Sequence, residues 1–114
     1  MNLFLCYSKC STCKKAREFL LEHHIPFQER DIKENRPSKE ELYSWIKRSG
    51  ESPRKFFNTS GLVYKSMNLK EKLDYMTEEE QITLLSSDGM LVKRPLLITE
   101  NKVYIGFRHY EELL

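Results

Sequence analysis

Two cysteines three residues apart, Cys10 and Cys13, are the residues whose type and spacing point most directly to chemistry. They lie where an apolar run over residues 3–7 gives way, from Ser11 onward, to apolar residues at helical spacing. A thiol at this junction faces the unpaired N–H groups and the positive end of the helix dipole, and both favour the thiolate. A second thiol one turn deeper is within reach to close a disulfide. The pair predicts a redox site with Cys10 as the nucleophile and Cys13 as the resolving thiol.

A zinc site, an iron–sulfur cluster and an inert core pair are the alternatives to a redox role for these cysteines. Zinc needs four ligands, and the adjacent His23 and His24 cannot both reach one ion from a helix. Cys6 adds a C-x3-C-x2-C spacing like that of an iron–sulfur cluster, but it falls inside the predicted strand, where a small buried hydrophobe is the ordinary interpretation. We therefore expect no metal, and we expect Cys6 to stay reduced when Cys10 and Cys13 pair. An inert pair of core cysteines is the remaining alternative.

Composition limits the classes of function. The chain has 114 residues, 32% of them charged, and a net charge of +2, which gives no strong case for binding nucleic acid directly. No segment approaches the roughly 20 apolar residues of a membrane span. Three cysteines clustered within eight residues do not make a secreted disulfide framework. We expect a single domain over residues 1–114 that is cytoplasmic, with no membrane partner.

The two ends of the chain predict a sheet. The pattern indicates a strand over residues 3–7, a helix over residues 11–23 and a second strand over residues 27–31. The crossover between the two strands has a length typical of parallel strands. Residues 96–99 and 103–106 predict a hairpin, followed by a last helical turn near the end of the chain. This order favours an α/β, thioredoxin-like fold, βαβ followed by ββα.

The middle of the chain predicts helices inserted between these halves, over about residues 38–88. Capping boxes that start at Ser38 and Thr77 open two helices. Residues 50–61 indicate a loop with one short helical piece, and residues 69–76 another helix.

Arg94 and Pro95 form a second candidate group. A proline at the entry of a strand lacks the ladder N–H, and in a thioredoxin-like fold the proline at this position faces the C-x-x-C. That placement brings Arg94 close to Cys10, where a guanidinium stabilises a thiolate and grips an oxyanion or carboxylate. A solvated loop cation is the alternative interpretation of Arg94.

The sequence resembles the arsenate reductase/Spx family of thioredoxin-fold proteins. The resemblance is carried by the motif that begins at Cys10 after a strand, by Arg94-Pro95 before a late hairpin, and by the helical insertion between them. Residues 55–61 resemble a poorly characterised branch of that family. The resemblance to the family implies that Cys10 matches the single cysteine of the arsenate enzymes, and that Arg94 and Arg108 match two of their three arginines. The third arginine falls on Asn58, and those enzymes lack the thiol that Cys13 supplies here.

These observations favour a cytoplasmic thiol–disulfide oxidoreductase with no bound cofactor, which uses glutathione or a thioredoxin-type dithiol as co-substrate. The resemblance implies two alternatives: a glutathione-dependent arsenate reductase, and a redox-sensing regulator that binds RNA polymerase. Glutaredoxin or thioredoxin are the expected partners of the enzyme, and its substrate is a disulfide or an oxyanion. Besides the two cysteines, the candidate substrate-binding residues are Arg94, Ser11, Thr12, Lys14, Pro95, Asn58 and Arg108.

Overall fold

The sheet lies at the centre of the computed structural model, which describes residues 2–114. Within that part of the chain it has four strands: β1 (Asn2–Cys6), β2 (Phe27–Asp31), β3 (Leu96–Ile98) and β4 (Val103–Ile105). Their order across the sheet is β2–β1–β3–β4. β1 and β2 are parallel and are joined by helix α1 (Ser11–Glu22), whereas β3 pairs antiparallel with both β1 and β4. This is the predicted βαβ unit followed by a hairpin.

The side chains of β1 alternate between two cores because successive residues of a strand point to opposite faces. Phe4 and Cys6 are buried in one cluster together with Cys13 and Leu20 of α1. Leu5 is buried in the other cluster, among side chains from the chain between β2 and β3. Cys6 therefore faces the same helix that carries the C-x-x-C.

Helices fill the segment between β2 and β3. They are α2 (Lys39–Ser49), α3 (Leu62–Ser66), α4 (Leu69–Lys72) and α5 (Glu78–Ser87), with short 3₁₀ helices at Pro53–Phe56, Leu73–Tyr75 and Gly89–Leu91. Both predicted capping boxes are present. Ser38 and Thr77 each accept a backbone hydrogen bond from the glutamate three residues later, whose carboxylate accepts one in return.

Three details differ from the sequence prediction. α3 was not expected, because its five residues carry no apolar stripe and Leu62 is 85% exposed. The helix predicted over residues 69–76 is α4 followed by a 3₁₀ turn. A further 3₁₀ helix that was not predicted, Gly89–Leu91, follows the end of α5 at Ser87, since the Asp88 carboxylate accepts a hydrogen bond from the N–H of Met90.

An ion pair between Arg30 and Glu41 links β2 to α2. The two side chains form paired hydrogen bonds of 2.6 and 2.9 Å, and Glu41 also accepts the N–H of Ser38. The Arg30 guanidinium lowers the pKa of Glu41, so the pair stabilises the fold at neutral pH and loses this contribution as the pH falls through the lowered value.

We predict that Glu41→Gln lowers the free energy of unfolding by about 1–2 kcal/mol at pH 7. The difference from the unmodified protein should shrink at acid pH, where protonation of Glu41, through its lowered pKa, removes the charge from the unmodified protein as well. Urea unfolding at the two pH values measures this, with the exposed neighbour Glu40→Gln as the control. An equal difference at both pH values would contradict the role of the charge.

Candidate active site

Cys10 occupies the N-cap position of α1 in an extended conformation. Its N–H donates to the carbonyl of Tyr7 at 3.0 Å, and its own carbonyl accepts the N–H of Lys14 at 3.2 Å. Its thiol makes no capping hydrogen bond and is half-buried. The backbone of Cys10 is therefore fixed by the turn, while its sulfur remains available for reaction at the positive end of the helix dipole.

Cys13 is fully buried beneath Cys10. Its sulfur accepts the N–H of Tyr7 at 3.3 Å, and its side chain packs in the same buried cluster as Cys6, against which Cys10 also packs. The hydrogen bond to Cys6 and the burial both raise the pKa of Cys13. All three cysteines are free and belong to one packed group: Cys6 and Cys13 are buried in the same cluster, and Cys10 packs against it.

Arg17 and Glu29 complete the surroundings of Cys6. Nη2 of Arg17 lies 3.2 Å from the sulfur of Cys6, and the same guanidinium forms two hydrogen bonds, of 2.7 and 2.8 Å, with the Glu29 carboxylate. The hydrogen bond from Cys13 and the charge of Arg17 lower the pKa of Cys6, against the opposing effects of burial and of Glu29. Sequence reasoning missed this pair, although the spacing of four residues from Cys13 places Arg17 on the same face of α1.

Four of the predicted residues surround one cleft of about 680 Å³ together with Cys10. These are Thr12, Asn58, Arg94 and Arg108. The cleft does not include Ser11, Lys14 or Pro95 among its lining residues: Ser11 and Lys14 are exposed on α1, and Pro95 is buried behind Arg94, joined to it by a cis peptide bond.

The segment before β3 brings Asn58 and Arg94 together. The N–H of Asn58 donates to the carbonyl of Leu91 at 2.8 Å, and the N–H of Lys93 donates to the carbonyl of Phe56 at 2.7 Å. These bonds flank a bridge that joins the two segments antiparallel. Residues distant in sequence thus line the same cleft.

Arg94 is held beside the cysteine loop. Its guanidinium carbon lies 5.3 Å from the centre of the Tyr7 ring, and Nη1 donates long hydrogen bonds of 3.4 Å to the carbonyls of Met90 and Val92. Nε is buried and has no hydrogen-bond partner among the described residues. This arrangement keeps the cation near Cys10 with donors left over for an anionic group.

The charge around the cleft is mainly positive. Lys93 and Arg108 line both this cleft and a neighbouring one of about 670 Å³, which also includes Arg48, Lys55 and Lys102. Glu51 and Glu112 are the acidic residues that line the second cleft. A surface of this kind favours anionic substrates.

Among residues 2–114, no group of three or more His, Cys, Asp or Glu side chains is placed to hold a metal ion. In the same part of the chain, no helix has the length and apolar character to cross a bilayer.

Fold and site together define a thioredoxin-like protein with a C-x-x-C motif at the start of its first helix. The chain belongs to the ArsC family, whose model matches residues 5–113. The predicted resemblance and fold class are confirmed.

Individual relatives span almost the whole chain. It is 52% identical over 105 residues to the uncharacterised protein YusI of Bacillus subtilis, covering 92% of this chain and 89% of that protein. It is 31% identical over 110 residues to the regulatory protein MgsR of Bacillus subtilis, covering 96% and 86%. The crystal structure of a possible arsenate reductase from Streptococcus mutans is 44% identical and superposes with a TM-score of 0.91, covering 99% and 97%.

Proposed function

We propose that this protein is a cytoplasmic thiol–disulfide oxidoreductase in which Cys10 is the nucleophile and Cys13 the resolving thiol. The observation that carries the proposal is the packing of a half-buried thiol at a helix N-terminus against the cluster that contains a buried thiol one turn below it. The first lines the cleft and is accessible to a substrate, whereas the second has no exposed surface and does not line the cleft. A two-thiol reduction requires these two roles: an accessible nucleophile that attacks the substrate and a second thiol that attacks the resulting mixed disulfide.

The reaction has two exchange steps. The Cys10 thiolate attacks one sulfur of the substrate disulfide, whose S–S bond breaks, so that one half leaves as a thiolate and the other stays on Cys10. Cys13 then attacks the sulfur of Cys10, and the second half leaves as the Cys10–Cys13 bond forms. Two electrons pass to the substrate. Glutathione, glutaredoxin or a thioredoxin-type dithiol returns them by the reverse exchange.

The cleft supplies the groups that orient a charged substrate. Arg94 and Arg108 provide cationic donors, and Asn58 and Thr12 provide neutral ones. A disulfide that carries carboxylates, such as oxidised glutathione or an acidic peptide, fits this lining. Ser11, Lys14 and Pro95 do not line the cleft, so we assign them no direct contact with the substrate.

Turnover of a low-molecular-weight disulfide with glutathione, and of a protein disulfide with a thioredoxin-type dithiol, tests the proposal. We predict that Cys10→Ala reduces turnover to the rate measured without protein, because no other described cysteine lines the cleft. We predict that Cys13→Ser accumulates a mixed disulfide on Cys10, detected as added mass on the intact protein. Turnover by Cys10→Ala at the rate of the unmodified protein would contradict the proposal.

Arsenate reduction with glutathione is a second candidate function. It is favoured by the similarity to the possible arsenate reductase from Streptococcus mutans and by the cationic cleft. The presence of Asn58 rather than a third arginine, and of Cys13, places it behind disulfide reduction. Parallel assays with arsenate and with a disulfide separate the two functions.

A redox-sensing regulator that binds RNA polymerase is a third candidate, favoured by the 31% identity to MgsR. In such a protein the Cys10–Cys13 bond would change the affinity for polymerase rather than turn over a substrate. Affinity capture of purified RNA polymerase by the reduced and the oxidised protein separates this function from both enzymatic ones. Binding that depends on oxidation, without disulfide turnover, would favour the regulator.

A further inference from the structure

We propose that Cys6 is the base that takes the proton of Cys13 when Cys13 attacks the mixed disulfide on Cys10, and that Arg17 positions and charges Cys6 for this task. The inference rests on the proposed function, because it concerns the second exchange step. It gives a catalytic role to a cysteine that the sequence alone presents as a small buried hydrophobe.

The need for a base follows from the burial of Cys13. Only a thiolate attacks a disulfide efficiently, so the Cys13 proton must leave before or during the attack. Cys13 has no exposed surface, so water cannot take the proton directly. Its sulfur accepts the N–H of Tyr7, which is a donor, and the other polar groups packed with it are the thiols of Cys6 and Cys10. Since Cys10 carries the substrate at this stage, Cys6 is the remaining acceptor.

Arg17 makes the two buried thiols unequal. Its Nη2 lies 3.2 Å from the sulfur of Cys6. A guanidinium at that distance stabilises the anionic form of Cys6, which then accepts the hydrogen bond from Cys13. The opposite directions of the two pKa values, lowered for Cys6 and raised for Cys13, agree with a proton that rests on Cys13.

Other titratable groups also face Cys6. Glu29 on β2 binds the far side of the Arg17 guanidinium and reduces its net charge, while holding it in place through two hydrogen bonds. Cys10, at the N-cap of α1, opposes the ionisation of Cys6. Tyr110, from the last 3₁₀ helix (Tyr110–Leu113), is buried in the same cluster, and its burial, followed by the charges of the thiols, raises its pKa. Tyr110 therefore stays neutral and does not compete as a base.

The proton returns at the end of the cycle. When Cys13 attacks, its S–H proton moves to Cys6, the Cys13–Cys10 bond forms, the Cys10–substrate bond breaks and the substrate leaves as a thiolate. When a reducing thiol later opens the Cys10–Cys13 bond by attacking Cys10, Cys13 leaves as a thiolate and takes the proton back from Cys6. The oxidation state of Cys6 does not change in either step.

The chromogenic disulfide dithiobis(nitrobenzoate) measures the two steps separately in rapid mixing. Attack by Cys10 releases one equivalent of thionitrobenzoate, and resolution by Cys13 releases a second. We expect Cys6→Ala and Arg17→Met to leave the first phase unchanged and to slow the second by about 10²-fold or more. Lys15→Met, which removes an exposed cation from the same helix, is the matched control and should change neither phase.

The dependence of the second phase on pH distinguishes a base from a packing residue. In the unmodified protein its rate should vary little from about pH 7 to pH 9, because Cys6, held beside the Arg17 guanidinium, takes the proton in place of hydroxide. In Cys6→Ala it should rise about tenfold per pH unit, because hydroxide must then remove the proton. Cys6→Asp, which restores an ionised acceptor, should recover a level profile.

The outcomes separate the two proposals. Release of only one equivalent by the unmodified protein would overturn the resolving role of Cys13, and with it this inference. Release of two equivalents, with the same second-phase rate and pH profile in Cys6→Ala and Arg17→Met, would overturn the inference while the proposed function stands.

Discussion

Gly89→Ala should destabilise the protein by more than about 3 kcal/mol, the upper end of the usual cost of overpacking. Gly89 is buried against the backbone that follows β2. A methyl group at this position would overlap the carbonyl oxygen of Ile32 and lie 2.8 Å from its carbonyl carbon. Because the obstacle is main chain, no side-chain rotation relieves the clash, and one of the two segments must move.

The displacement should also reach the site. Gly89 begins the segment that hydrogen-bonds to Asn58 through Leu91 and then carries Arg94 to the cleft. We therefore expect the folded fraction of Gly89→Ala to show weaker turnover of anionic disulfides. Urea unfolding and the disulfide assay measure the two effects.

Gly61→Ala is the matched control for Gly89→Ala. There a methyl group would meet the amide nitrogen of Asn58 at 2.7 Å, at the end of a side chain that can rotate. Its cost in unfolding free energy should stay below about 1 kcal/mol. Equal stability of the two variants would show that the Gly89 segment can move away from Ile32 at little cost.

Local sequence signals predicted much of the fold. The capping boxes at Ser38 and Thr77 each depend on residues three apart, and both are present in the structure. The parallel strands around α1 followed from the length of the crossover. The helix Leu62–Ser66 did not follow from any such signal. It is too short for an apolar period, and packing of its buried residue Tyr64 against Phe57 stabilises it instead.

The sequence also predicted part of the candidate site, namely the residues that are close together along the chain. Cys10 and Cys13 lie three residues apart in the sequence, so their spacing was sufficient to predict the pair. The contact of Cys6 with Cys13 and Arg17 depends on how β1 lies against α1, and the partner of Arg17, Glu29, comes from the neighbouring strand. Those distances arise from the register of the sheet and from the packing of the helix on it. No motif in the sequence encodes either.

Asn58 is expected to separate arsenate reduction from disulfide reduction. The family resemblance implies three arginines around arsenate, whereas the cleft here has Arg94, Arg108 and an amide at the third position. Compact anions are stabilised by converging charged donors, and hydrogen bonds to charged groups are worth about 1.5–3 kcal/mol against about 1 for neutral ones. A disulfide has no such requirement, and Cys13 gives it a resolving thiol. The unmodified protein should therefore reduce disulfides measurably and arsenate weakly or not at all.

Asn58→Arg should reverse part of this preference. We expect arsenate turnover with glutathione to rise about tenfold or more, and disulfide turnover to change much less, because only the anion gains a charged hydrogen bond. The backbone N–H of residue 58 keeps its hydrogen bond to the carbonyl of Leu91 in this variant. The side chain of Asn58 accepts a hydrogen bond from the hydroxyl of Ser60, and the substitution removes that bond. Asn58→Gln, a longer side chain without charge, controls for size and should leave arsenate turnover low. Efficient arsenate reduction by the unmodified protein would place arsenate ahead of disulfides as its substrate, since the third arginine would then be unnecessary.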